Sequence, residues 1–139
     1  FEFLGEVNGV TIADDYAHHP TELEATLRAA KEMDYKRVWA VFQPFTYTRT
    51  QMLLDDFARV LQIADKVVMT EIMGSRERAE DYAVRTKDLA AKIPGSVWYD
   101  TFDEVVDHVM KNARPGDLVI TLGCGDIYKA AKKMVAWEA

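Results

Sequence analysis

The chain has 139 residues, 49% of them hydrophobic and 29% charged, values suited to one globular domain spanning residues 1–139. Its 17 basic and 23 acidic residues leave a net charge of −6, which argues against a large nucleic-acid footprint and requires local basic groups to hold any anionic ligand. No apolar run approaches the ~20 residues that span a bilayer, FEFLGEVNGV lacks the basic and apolar regions of a signal peptide, and a single cysteine, Cys124, permits no internal disulfide. A reducing, cytoplasmic setting is expected. The chain starts on Phe1, not Met, which suggests a piece of a longer protein.

FEFLGEV and VTIADDY flank Asn8-Gly9, and an Asn-Gly pair between β-prone runs predicts an antiparallel hairpin, because both turn positions need positive φ. Pro20 can open a helix at its first position, with Leu23, Leu27, Ala30 and Met33 as its apolar stripe. Thr21 and Glu24 also fit a capping box, so the start is open by a residue. Arg37–Phe42 reads as a buried strand. Leu53, Phe57, Val60 and Ala64 mark a second helix, and Lys66–Met69 a strand. The charged stretch EIMGSRERAEDYAVR reads as a surface loop. A short helix follows from about Thr86 to Ile93, stopped by Pro94-Gly95, and Ser96–Tyr99 is a strand. Thr101 and Glu104 form a capping box ahead of the stripe Phe102, Val105, Val109 and Ala113. Pro115-Gly116 leads into the apolar strand Asp117–Leu122, and a last helix follows GCGD. The tryptophans and most methionines fall on strands or helical stripes, and core is their default assignment.

Strands separated by helices imply right-handed crossovers. The expected fold is therefore a Rossmann-like, three-layer α/β domain, with a mainly parallel sheet covered on both faces and an antiparallel hairpin at its start. Ligands of such sheets bind beyond the carboxyl ends of the strands. Four loops lie there: DDYAHHP, QPFTYTRT, EIMGSRE and GCGD.

DDYAHHP carries Asp14, Asp15, Tyr16, His18 and His19. Its acids can accept from ribose hydroxyls, a metal-bound water or an ammonium, and its histidines can bond a ligand near neutral pH. The plainer alternative is an acidic turn with a capping histidine. A metal site is disfavoured, since no third ligand stands at a recognised spacing. Arg49, just ahead of a predicted helix, can receive a carboxylate or phosphate beside free helix N–H groups. It can equally be a solvated surface cation. GCGD lacks the third glycine of a dinucleotide fingerprint, and a packing turn is the favoured reading, with Cys124 as a small packed residue. No GxxxxGK[ST] occurs, so the chain has no P-loop and ATP chemistry must be completed elsewhere.

DDYAHHPTEL, FQPFTYTRT, LLDDFARVLQIADKVVMTEI and GDLVITLGCGDIYKAA occur in that order over nearly the whole chain. Together they resemble the Mur ligases of bacterial cell-wall synthesis, in the branch that joins L-alanine to UDP-N-acetylmuramate. The resemblance implies the third, C-terminal domain of a three-domain enzyme, with the UDP-sugar site and the P-loop ATPase on the missing domains. It implies ATP and Mg2+ as cofactors and amide formation through an acyl phosphate. L-alanine, UDP-N-acetylmuramate and ATP would be the ligands of the complete enzyme, and the isolated domain would be inactive. By position, Asp15 matches the shared acid near the ATP ribose, a catalytic and cofactor-binding assignment. Tyr16 and His18 match residues lining the nucleotide and alanine region, and Arg49 the arginine that holds the alanine carboxylate. Two departures stand out. Phe45 and Thr46 replace the His-Arg of the familiar FQPHRYTRT, and Cys124 replaces the small residue of GAGD. Two rivals remain open: a murein peptide ligase, which usually has Phe where Tyr16 stands, and a nucleotide-binding module without catalysis.

Overall fold

Asn8 and Gly9 take φ of 52° and 80° in a computed structural model that describes residues 1–138. They join β1 (Glu2–Val7) to β2 (Val10–Asp15) as the antiparallel hairpin the sequence predicts. The chain then alternates through α1 (Pro20–Glu32), β3 (Arg37–Phe42), α2 (Tyr47–Met52), α3 (Leu54–Leu61) and β4 (Lys66–Thr70). After a 3-10 turn at Ala79–Asp81 come α4 (Thr86–Ala90), β5 (Val97–Tyr99), α5 (Phe102–Asn112), β6 (Asp117–Leu122) and α6 (Tyr128–Val135). The sheet order is β1-β2-β6-β3-β4-β5, and every pairing except β1–β2 is parallel.

The sheet is covered on both faces. Leu23 and Leu27 of α1, Phe57 and Leu61 of α3 and Leu89 of α4 pack with Phe42, Leu118 and Ile120. Val105 and Val109 of α5 and Ala130 and Met134 of α6 pack on the other side with Ile12, Trp39, Val41 and Val119. Successive strand residues point to opposite faces, which is why Val41 and Phe42 enter different cores. All six residues of β6 are buried, as a strand flanked and covered on every side must be. This is the expected three-layer α/β fold.

Several local expectations are refined. α1 starts at Pro20, with His19 as its cap: the His19 N–H donates to Glu22 Oε1 at 3.1 Å, and Thr21 N–H donates to His19 Nδ1 at 3.4 Å. The Thr101 cap forms as predicted, its Oγ1 accepting from Glu104 N–H at 3.2 Å. The helix expected around Leu53–Ala64 is α3, and a further short helix that the sequence did not signal, α2, runs straight into it. Leu53 leaves the helical region (φ −112°, ψ 22°) while its N–H still donates to Arg49 O and its carbonyl accepts from Phe57 N–H. The hydrogen bonding continues but the axis turns, so α3 can lay Phe57, Val60 and Leu61 into the core without dragging α2 with it. Met52 is 74% exposed and Met33 is exposed at the end of α1, against the core assignment of the methionines. Trp39 is buried in the core, whereas Trp137 lies past α6, half-buried against the α5–α6 side.

Candidate functional site

Because β6 inserts between β2 and β3, three of the loops singled out in the sequence come to lie side by side. Asp15 ends β2, Gln43 follows β3, and Gly123–Asp126 follow β6. Gly123 N–H donates to Asp15 O at 3.3 Å, and Gln43 N–H donates to Leu122 O at 3.0 Å. Insertion of a strand between two that are consecutive in the chain creates the crevice in which doubly wound sheets bind ligands.

Asp15 folds the turn out of β2. Its Oδ1 accepts from the Ala17 N–H at 2.8 Å, and Oδ2 lies 3.1 Å from the Phe1 amino group. Asp14 points elsewhere, its Oδ1 accepting from Thr121 Oγ1 at 2.6 Å. Burial raises the Asp14 carboxyl above its usual range, and the charges of Asp15 and Glu2 add to that. Tyr16 is 69% exposed. His18 stands edge-on to Tyr16 at 5.6 Å between ring centroids, and its Nδ1 lies 3.1 Å from Tyr16 O and 3.4 Å from Glu22 Oε1. Glu22 accepts from the backbone N–H groups of His19 and His18, which hold its carboxyl below the usual range.

The aromatic line continues across the crevice. The Phe45 ring lies 6.5 Å from His18, edge-on, and the Arg49 guanidinium carbon lies 5.9 Å from the Phe45 centroid. Phe45, one of the departures from the family pattern, thus bridges His18 and Arg49. Tyr16, His18 and Arg49 form one row with Phe45, and Asp15 sits at its base as the turn former.

Arg49 stands ahead of α3, the helix the sequence predicted, but it lies inside the additional short helix α2. The N–H groups there are not free. Arg49 N–H donates to Thr46 Oγ1 at 3.2 Å, and Tyr47 and Thr48 N–H donate to Glu77 Oε1 at 2.6 and 3.1 Å. The start of α2 therefore offers an anion no free N–H group at Tyr47, Thr48 or Arg49, only the guanidinium. Its Nη1 is buried and has no hydrogen-bond partner among the described residues. A buried charged donor left unpaired is costly, and an anionic ligand is the natural complement.

Two residues at the site escaped the sequence reading. Gln43 is 5% exposed, donates from Nε2 to Asp126 Oδ1 at 2.8 Å, and leaves Oε1 buried without a partner among the described residues. A polar side chain closing the wholly apolar end of β3, just before Pro44, was the available signal. Glu77, in the stretch read as surface loop, gave none, because its partners are some thirty residues away. The GCGD turn serves packing. A Cβ on Gly125 would sit 2.6 Å from Gln43 Oε1, so a side chain there would push the Gln43 amide aside. Burial pushes the Cys124 thiol up despite the nearby Arg49 charge, which keeps it protonated and poorly nucleophilic.

Fold and site together define an α/β domain of Rossmann-like layering, with a strand-end crevice built around one arginine and an aromatic row. The chain belongs to the Mur ligase family: the model of the Mur ligase glutamate ligase domain matches residues 1–125. It is 44% identical, over 98% of its length, to the UDP-N-acetylmuramate–L-alanine ligase of Acetivibrio thermocellus, and 45% identical, over 97%, to that of Caldanaerobacter subterraneus. It spans 31% and 30% of those two relatives. Among solved structures it resembles the UDP-N-acetylmuramate–alanine ligase of Thermotoga maritima (TM-score 0.73, 24% identity, 93% of this chain and 26% of that one). It also resembles the murein peptide ligase of Psychrobacter arcticus (TM-score 0.75, 24% identity, 97% and 28%). These two likenesses establish the fold. Among the described residues, no helix is long and apolar enough to cross a membrane.

Proposed function

We propose that the chain is the C-terminal, amino-acid-binding domain of a cytoplasmic ligase that joins L-alanine to UDP-N-acetylmuramate in peptidoglycan synthesis, using ATP and Mg2+. The unpaired, buried Nη1 of Arg49 carries this reading. L-alanine is tiny, and its carboxylate is its one anionic handle. A guanidinium grips a carboxylate with charge-assisted, two-pronged hydrogen bonds. The Phe45 ring beside it, 5.9 Å from the guanidinium carbon, offers apolar surface for the alanine methyl. The names of the relatives at 44–45% identity support alanine over a peptide as the amine.

Each residue then has a defined task. Arg49 orients the alanine carboxylate, so that the amine faces the activated acyl group. His18 and Phe45 shield the reacting end from water, which matters because an acyl phosphate hydrolyses readily. Tyr16, exposed at the rim, meets the nucleotide side when the domain closes. Asp15 fixes the turn that presents Tyr16 and His18 and turns a carboxylate toward the ribose. ATP, when bound, supplies the phosphoryl group that activates the muramate carboxylate. No three His, Cys, Asp or Glu side chains among the described residues converge as a metal site.

The test is steady-state kinetics of Arg49→Ala in the complete enzyme, varying each substrate in turn. Loss of a carboxylate's partner in a closing cleft costs roughly 2–5 kcal/mol, or about thirty-fold to several thousand-fold in kcat/KM for alanine. Arg49→Lys should recover part of it. A loss confined to the ATP terms would reassign Arg49 to phosphate binding. Preference for a muropeptide over L-alanine would move the domain to the peptide-recycling ligases.

A further inference from the structure

α2 is six residues long and starts from a strained residue, Thr46, at φ 63°. A helix this short has little stability of its own. Yet it carries Arg49, the group on which the proposed alanine site depends. What holds it comes from the loop after β4.

That loop is tied to α2 at three levels. The β3–β4 pairing runs on past the strands: Thr46 N–H donates to Met73 O at 2.8 Å, and Met73 N–H to Pro44 O at 2.9 Å. Tyr47 stacks on Tyr82 at 5.6 Å and lies under the Arg85 guanidinium at 5.5 Å, in a small core with Ile72 and Val84. Arg85 is itself fixed by the carbonyls of Tyr82, Val84 and Ala79 at 2.8, 2.7 and 3.0 Å. At the centre, Glu77 Oε1 accepts the Tyr47 and Thr48 N–H groups, and Oε2 accepts from Thr48 Oγ1. Gly74 brings the carboxylate in. A Cβ there would sit 2.9 Å from Glu77 O and 3.0 Å from the Tyr47 ring.

Resting on the assignment of Arg49 to the amino-acid carboxylate, we infer that Glu77 is a positioning residue that caps α2 and aims the Arg49 guanidinium into the crevice. The carboxylate satisfies the two N–H groups that Thr46 cannot reach and places negative charge at the helix start, where it is favoured. Substrate anions are thereby left to the guanidinium.

The test compares Glu77→Ala and Glu77→Gln with Arg49→Ala in the complete enzyme, and adds amide hydrogen exchange at Tyr47, Thr48 and Arg49. Glu77→Ala should raise KM for L-alanine about tenfold, the size of a lost cap, and leave KM for ATP within about twofold. Its three α2 amides should exchange faster. Glu77→Gln keeps the Oε1 acceptor and should restore most of the alanine KM. If Arg49→Ala impairs alanine use while Glu77→Ala leaves alanine KM unchanged, positioning by Glu77 is overturned and the Arg49 assignment stands. If neither variant moves alanine KM, the Arg49 assignment fails and this inference falls with it. A lower alanine KM in Glu77→Ala would make Glu77 a competitor of the substrate, the reverse of the inference.

Discussion

Asp15 has one oxygen with a fixed local partner. Oδ1 is committed to the Ala17 N–H, a local bond that turns β2 toward α1 in the way Asp side chains turn loops. An asparagine keeps that oxygen. Asp15→Asn should therefore change the thermal midpoint little, while removing the negative charge the proposed role requires. Turnover of the complete enzyme should fall at least tenfold, with stability altered by less than about 1 kcal/mol. Parallel calorimetry and kinetics decide it; wild-type turnover would leave Asp15 as a turn residue only. Gly125 and Gln43 belong to the same scale. The absence of one Cβ lets the β6 loop close over the Gln43 amide, a close approach that GCGD displays in letters but whose partner lies just past the neighbouring strand.

Between elements, a buried charged junction lies at the other end of the sheet. Asp117 opens β6 and is 1% exposed. Its carboxylate takes Arg37 Nη2 at 2.8 Å and Trp39 Nε1 at 3.0 Å from β3, and the Arg114 N–H at 2.9 Å from the preceding turn. Burial pushes its pKa up, but these donors outweigh burial and hold it below the usual carboxylate range. The folded state thus favours the charged form. The resulting stability is fully present above the ordinary value of 3.8 and is lost as pH falls through the lower, folded value. Asp117→Asn should destabilise the domain by about 2–3 kcal/mol at pH 7, since it leaves Arg37 partly unpaired in a half-buried site. The gap to wild type should narrow toward pH 3. Urea titrations at pH 7, 4 and 3 measure it, and a gap independent of pH would show that shape rather than charge matters at this position.

At the scale of the whole molecule, two cores cover the two faces of the sheet. The chain lacks a P-loop and spans about 30% of the relatives it matches. The isolated chain is accordingly expected to melt in one sharp, cooperative transition and to show neither ATP hydrolysis nor alanine ligation. A broad melt with dye-accessible apolar surface would refute the first expectation. Catalytic turnover by rigorously purified chain would refute the second.

The sequence by itself determined what depends on a few neighbouring residues. Asn8-Gly9 dictates the hairpin because both turn positions need positive φ, Thr101 and Glu104 dictate a cap, and apolar periodicity separates strands from helices. From these follow the layering and the loops at the strand ends. Tertiary structure decided what depends on residues far apart in the chain. Periodicity cannot tell that β6, the last strand, slots between β2 and β3, yet that slot brings Thr121 to Asp14 and Gln43 to Asp126. Nor can it tell that the axis bends at Leu53, or that Glu77 seals the start of α2. Local letters fix dihedral preferences and burial faces. Which surfaces meet is set by packing two cores against one sheet, and Arg49 is left with an unpaired, buried donor only once that packing is complete.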